Sequence, residues 1–188
     1  MRHLCSDMVQ RLDALGHIDL ASVAITVTQA RKNVAHGMQA SLTPLRFEHG
    51  RETELRGGRR YRVQRVLRPD GKEYMYLLTF FLPRFLNHSF EEKLTTVLHE
   101  LWHISPHFDG DLRRHTGRCY AHGHSQRAYD AQAAALARQW LSLDPPLYVY
   151  AFLQSTFEDL EREYGSVSGQ RVRAPRLLVV ENSIGNCP

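Results

Sequence analysis

His99-Glu100-Leu101-Trp102-His103 closes an apolar-periodic run that begins at Ser89. On an α-helix the two histidines fall at i and i+4, one turn apart on one face. That spacing lets both imidazoles reach one zinc ion. Glu100 stands beside them, placed to take a proton from a water activated by that ion. A wheel at roughly 100° per residue puts Phe90, Leu94, Val97, Leu98, Leu101 and Ile104 on one broad face. His99 and His103 fall almost opposite, Glu100 at their shoulder and Trp102 between the faces. The pattern predicts a helix anchored in a core by one side and facing a cleft with the other.

An isolated pentad of this kind also occurs on solvated helix faces. Context favours metal here. An apolar stretch, Tyr74 to Phe81, precedes the helix, and a histidine-rich loop follows it. Six of the eleven histidines lie between His99 and His124. Imidazole is the commonest metal-binding side chain, so the clustering matters more than the total.

The flanking sequence predicts the rest of the scaffold. Residues 7–15 read as a short amphipathic helix, and Ala21 to Ala30 as a strand by alternation around Val23, Ile25 and Val27. Met38 to Phe47 reads as a second strand, with Pro44 marking an edge or bend. Tyr61 to Leu67 and Glu73 to Phe81 flank the turn signal Arg68-Pro69-Asp70-Gly71 and predict a hairpin. Its second arm, from Tyr74, is apolar enough to be the central strand. Ser89 and Glu92 fit a capping box that opens the metal helix, and Pro106 predicts its end near Ser105. Ser125 to Leu141 predicts a second helix, broken at Asp144-Pro145-Pro146. Tyr148 to Tyr164 predicts a third helix, and Leu177 to Val180 a short strand.

A catalytic zinc site needs a third protein ligand and keeps one position open. His107, His115, Cys119, His122 and His124 are the candidates. Pro106 separates His107 from the helix, and a cysteine in a mixed site suits structural zinc better. His122 and His124 sit just before the second helix, which can carry either to the metal; geometry does not choose between them. Tyr120, Tyr129, His124, Arg114 and Arg118 are candidate donors to a tetrahedral oxyanion. Asp109 and Asp111 are candidates for orienting a ligand imidazole, or for turn and capping work around Gly110.

Thr96 to His103, followed downstream by Ala121-His122-Gly123-His124-Ser125, resembles the SprT-like zincin metallopeptidases. These have an H-E-x-x-H helix, a variable loop, then a His-Gly step opening the next helix. More narrowly, Pro83-Arg84-Phe85-Leu86, the run from His99 to Arg114, and Gly37 to Phe47 with its Pro44-Leu45-Arg46-Phe47 look like the phage-type metallopeptidase group. The close resemblance covers roughly residues 4–141. It implies one Zn2+ per chain, His122 as third ligand and peptide-bond hydrolysis. His124 stays the alternative ligand. Four positions after His122, where the family usually carries an aromatic, this chain has Gln126; the nearest aromatic is Tyr129. Some SprT-like relatives act on DNA-bound proteins, so a DNA-associated substrate is implied only by analogy.

Composition bounds the class. The chain has 188 residues, 43% of them hydrophobic, which fits one globular domain. No apolar run reaches the ~18 residues of a membrane span, so no membrane partner is expected. The widely spaced Cys5, Cys119 and Cys187 argue against a disulfide framework and for a reducing, cytoplasmic setting. Basic residues are 21 Arg against 3 Lys, with net charge +4. Seven arginines crowd residues 51–68, a solvated hairpin face or a nucleic-acid contact through Arg59, Arg60 and Arg62.

The expected fold is therefore α+β and zincin-like. A short N-terminal helix precedes a mostly antiparallel sheet of about four strands, and the H-E-x-x-H helix and a second site helix complete it. Residues 1–145 form the metallopeptidase domain, 146–165 a C-terminal helix packed on it, and 166–188 a flexible tail. His99, His103 and His122 are the expected ligands, Glu100 the general base, and a protein or peptide the substrate. The alternative is a non-catalytic zinc module, closed by Cys119 or His124, that binds nucleic acid through the arginine-rich hairpin.

Overall fold

The computed structural model describes residues 1–30, 37–114 and 126–180. Among these are four α-helices and six strands in an α+β arrangement. They are α1 (Arg2–Arg11), β1 (Val23–Gln29), β2 (Ala40–Pro44), β3 (Thr53–Arg56), β4 (Arg59–Val63), β5 (Tyr76–Leu82), α2 (Phe90–Trp102), α3 (Gln126–Ser142), α4 (Phe157–Tyr164) and β6 (Leu177–Val179). No helix among the described residues is long and apolar enough to cross a membrane.

The strands form two sheets rather than one. The first has the order β1-β5-β2, with β5 central, parallel to β1 and antiparallel to β2. Tyr76, Leu78 and Phe80 of β5 join the main core with α1, α2 and α3, whereas Leu77 packs on the opposite face with Ala24, Leu45 and Tyr74. Burial on both faces is why β5 lacks the polar alternation of a half-solvated strand. Pro44 ends β2 at an edge of this sheet, as its missing N–H requires.

The second sheet, β3-β4-β6, is wholly antiparallel. It corrects the expected pairing around Arg68-Pro69-Asp70-Gly71. The turn is present, with Gly71 N donating to Arg68 O at 3.0 Å and a single bridge between Leu67 and Glu73. Beyond the bridge the arms part. Tyr61 to Val63 pairs with β3 and β6, while Tyr76 to Leu82 enters the first sheet. Gly57 and Gly58, both at positive φ, make the tighter β3–β4 turn that captures the first arm.

The helices differ from expectation mainly at their ends. α1 begins at Arg2, and residues 13–15 form a 3-10 turn. α2 opens on the expected Ser89–Glu92 capping box but stops at Trp102. Residues 104–112 then fold back, with an Ile104–Leu112 bridge and Arg113 N donating to His103 O at 2.6 Å. The helix ends there because its last carbonyls are claimed by this returning loop. The predicted helix 148–164 is two 3-10 turns, Leu147–Val149 and Ala151–Gln154, followed by α4. The buried Lys93 ammonium of α2 binds the carbonyls of Leu153 (2.9 Å) and Ser155 (2.8 Å), which cannot then serve an α-helical ladder. Thr156 and Asp159 form a fresh capping box for α4.

Residues 166–180, expected as a tail, lie along both sheets. Gln170 O accepts from Val27 N of β1 at 2.9 Å, Val172 packs on the second core, and β6 pairs with β4. A Cβ at Gly169 would sit 2.8 Å from Val27 Cγ2, so glycine is what permits this approach.

Candidate metal centre

α2 and α3 build the site by packing against each other. Tyr129, Ala133, Leu136, Ala137 and Trp140 are all buried and recur at helical spacing along α3. Trp140 Nε1 donates to Asp7 Oδ1 of α1 at 2.9 Å, which anchors the far end of the helix. This packing brings the start of α3 over His99 and His103. His103 itself is the C-cap of α2 and keeps right-handed helical angles, so the i, i+4 relation survives the early helix end.

The two Nε2 atoms lie 3.1 Å apart. Two nitrogens on one tetrahedral zinc, each at ~2.0–2.1 Å, lie roughly 3.3–3.4 Å apart, so the pair matches that need closely. Their outer nitrogens are held by successive residues of α3. Asp130 Oδ1 is 3.0 Å from His99 Nδ1, and Tyr129 Oη is 3.0 Å from His103 Nδ1. The carboxylate accepts from His99 Nδ1–H, which leaves the Nε2 lone pair inward. In the same tautomer His103 donates to the phenol oxygen. The Tyr129 ring also lies near-parallel to His103, with centroids 4.7 Å apart. Burial pushes the Tyr129 phenol well above its usual range, and Arg113 pulls it the other way.

Glu100 is 9% exposed. Burial raises its carboxyl to about 7, opposed by a backbone hydrogen bond from Leu42. The β2 ladder explains that bond. Phe81 N donates to Gln39 O and Leu45 N to Met75 O, so odd-numbered residues of β2 turn their backbone groups to β5. Leu42 N–H therefore points off the open edge, to Glu100. A cavity of about 210 Å³ lies at this edge, lined by Gln39, Ala40, Thr95, Thr96, His99, Glu100 and Asp130.

The other expected residues divide by location. Among the described residues no group of three His, Cys, Asp or Glu is close enough to hold a metal. The candidates His115, Arg118, Cys119, Tyr120, His122 and His124 lie outside the described residues. His107 is exposed after the helix end. Asp111 binds Arg114 at 2.7 Å and accepts from the amides of His49 and Leu112, and Asp109 accepts from the amide of Asp111. Both thus do turn and capping work around Gly110, and Arg114 also reaches Glu48 at 3.2 Å. Arg59, Arg60 and Arg62 lie on β4, in the second sheet.

Two residues beside the imidazoles escaped the sequence reading. Asp130 lies one position after Tyr129 and holds His99 Nδ1. Arg113 packs its guanidinium 3.8 Å over the Trp102 ring and donates to Trp102 O at 2.8 Å, bracing the end of α2. Nothing local marks either contact, since each depends on where the chain returns. The chain matches no family model, no curated protein and no solved structure.

Proposed function

We propose that the chain is a zinc-dependent metallopeptidase with Glu100 as general base and His99 and His103 as two of the ligands. One observation carries the reading. A buried carboxyl with a raised pKa sits beside two convergent imidazoles whose outer nitrogens are already braced. A purely structural site needs the braces but has no use for the buried acid.

The donor set suits zinc, and His122, with His124 as alternative, is the proposed third ligand. When bound, the ion supplies a Lewis acid that lowers the pKa of water and polarises a carbonyl. The chain's own residues do the rest. Asp130 sets the His99 tautomer, and Tyr129 holds the plane of the His103 ring. Glu100 takes a proton from the attacking water at its carboxylate and hands it to the leaving amine. The Leu42 amide keeps one carboxylate oxygen oriented at the β2 edge. Burial raises the carboxyl to about 7 in the metal-free site, and a bound dication would favour the carboxylate form that a base needs.

The test compares wild type with Glu100→Gln, His103→Ala, His122→Ala and His124→Ala, measuring zinc by mass spectrometry and cleavage of a denatured protein substrate. About one zinc per chain is expected, kept by Glu100→Gln with loss of cleavage, and lost in His103→Ala and in one of the other two. Full cleavage by the Glu100→Gln enzyme would remove the proposed base.

A further inference from the structure

The second sheet separates its charges by face. In an antiparallel sheet directly paired residues share a face, and neighbours along a strand alternate. Arg62 pairs with Thr53 on one side and Leu178 on the other. Arg60 pairs with Leu55, and Val180 N donates to Arg60 O at 2.8 Å. Gln64 N donates to Arg176 O at 2.8 Å, which extends the same ladder. One face therefore carries Arg60, Arg62 and Arg176 with Thr53, Leu55, Gln64 and Leu178, and no carboxylate. Glu54 falls on the other face with Arg56, Arg59 and Tyr61. Arg56 is paired with Glu54, Arg51 with Glu48 and Arg65 with Glu73. Among the described residues Arg60, Arg62, Arg173 and Arg176 have no such ion pair, nor has Arg59 on the other face.

A groove of about 520 Å³ opens beside the arginine face, between residues 64–67 and 172–178. Arg65, Arg173 and Arg176 line it together with Val66, Leu67, Val172 and Pro175, again without a carboxylate. Strand geometry sets Arg60 and Arg62 about 7 Å apart and Arg62 and Arg176 roughly 7–8 Å apart on the diagonal.

We propose that this face binds single-stranded nucleic acid, its phosphates on Arg60, Arg62 and Arg176 and an unstacked base in the adjoining groove. The occupant is chosen by repeat and by shape. A phosphate backbone offers one charge per nucleotide in any sequence, at a spacing an extended strand of arginines can follow, and each guanidinium fork grips phosphate in two places. An extended acidic peptide presents its carboxylates to one face only if they alternate. A duplex hides its bases and leaves the apolar lining unused. The inference stands apart from the proposed hydrolysis, because it uses none of the metal-site residues.

Fluorescence anisotropy of the full chain with labelled oligothymidine, a duplex of equal length and polyglutamate tests it. With three phosphate contacts, the single-strand affinity should fall with salt at a log–log slope of about −2, or about 20-fold between ~50 and ~200 mM. Arg60→Ala, Arg62→Ala and Arg176→Ala together should abolish binding at ~200 mM salt. Arg56→Ala with Arg59→Ala, on the opposite face, should leave it. If the triple variant fails to fold by circular dichroism, Arg62→Ala and Arg176→Ala singly should each flatten the slope by about 0.7. Duplex or polyglutamate bound as tightly as the single strand, equal loss in the opposite-face variant, or no binding at ~50 mM salt would each overturn the proposal.

Discussion

Tyr129 Oη lies 3.0 Å from His103 Nδ1, and the next residue of α3 makes the matching contact with His99. One turn of one helix thus sets both imidazoles of another. If the site takes zinc as proposed, removing either brace should loosen the ion without removing a proposed ligand. Tyr129→Phe and Asp130→Asn are each expected to weaken zinc affinity by roughly 10–100-fold, read by competition with a chromogenic chelator. An effect below about threefold in both would show that the braces do not hold the rings.

Glu100 should make the metal-free protein pH-sensitive. Its carboxyl lies near 4.5 when unfolded and is raised to about 7 by burial when folded. A raised carboxyl binds more protons in the folded state, so its contribution is favourable at low pH and lost as pH rises from about 4.5 through about 7. The burden above pH 7 is about 3 kcal/mol. Glu100→Gln carries no such charge. In chelator-treated samples the variant should be the more stable at pH 8 and nearly equal to wild type at pH 5. Parallel urea midpoints at both pH values would contradict this.

Gly110 fixes the loop that returns after His103. Its φ is +85°, its N–H donates to Tyr76 Oη at 3.0 Å, and a Cβ there would lie 2.6 Å from Arg46 Cγ. Gly110→Ala combines a left-handed backbone cost with a clash and should destabilise the fold by roughly 2–4 kcal/mol. Urea unfolding reads it directly. A loss under about 1 kcal/mol would mean that Arg46 moves aside freely.

What the sequence disclosed was what short-range chemistry decides. The Ser89–Glu92 box, the shared face of His99 and His103, and the apolar β5 depend on residues a turn or two apart. The pairing of β4 was hidden because Arg68 to Gly71 gives the plainer turn signal, while β4 pairs across Gly57-Gly58 with β3 and, from far along the chain, with β6. The break before α4 was readable in part, since Thr156 and Asp159 already spell a helix start. Its cause, the buried Lys93 taking two carbonyls some sixty residues away, was not. Asp130 was missed for the same reason, because its role exists only once α3 crosses α2.

Val27 N donates to Gln170 O along the outer edge of β1. An outermost strand with free backbone groups is a template on which another chain can pair. Residues 167–171 occupy part of that template on β1, and Gly169 lets them press against Val27. A chain cut after residue 165 would trade this internal seal for a sticky border, and self-association would then compete with folding.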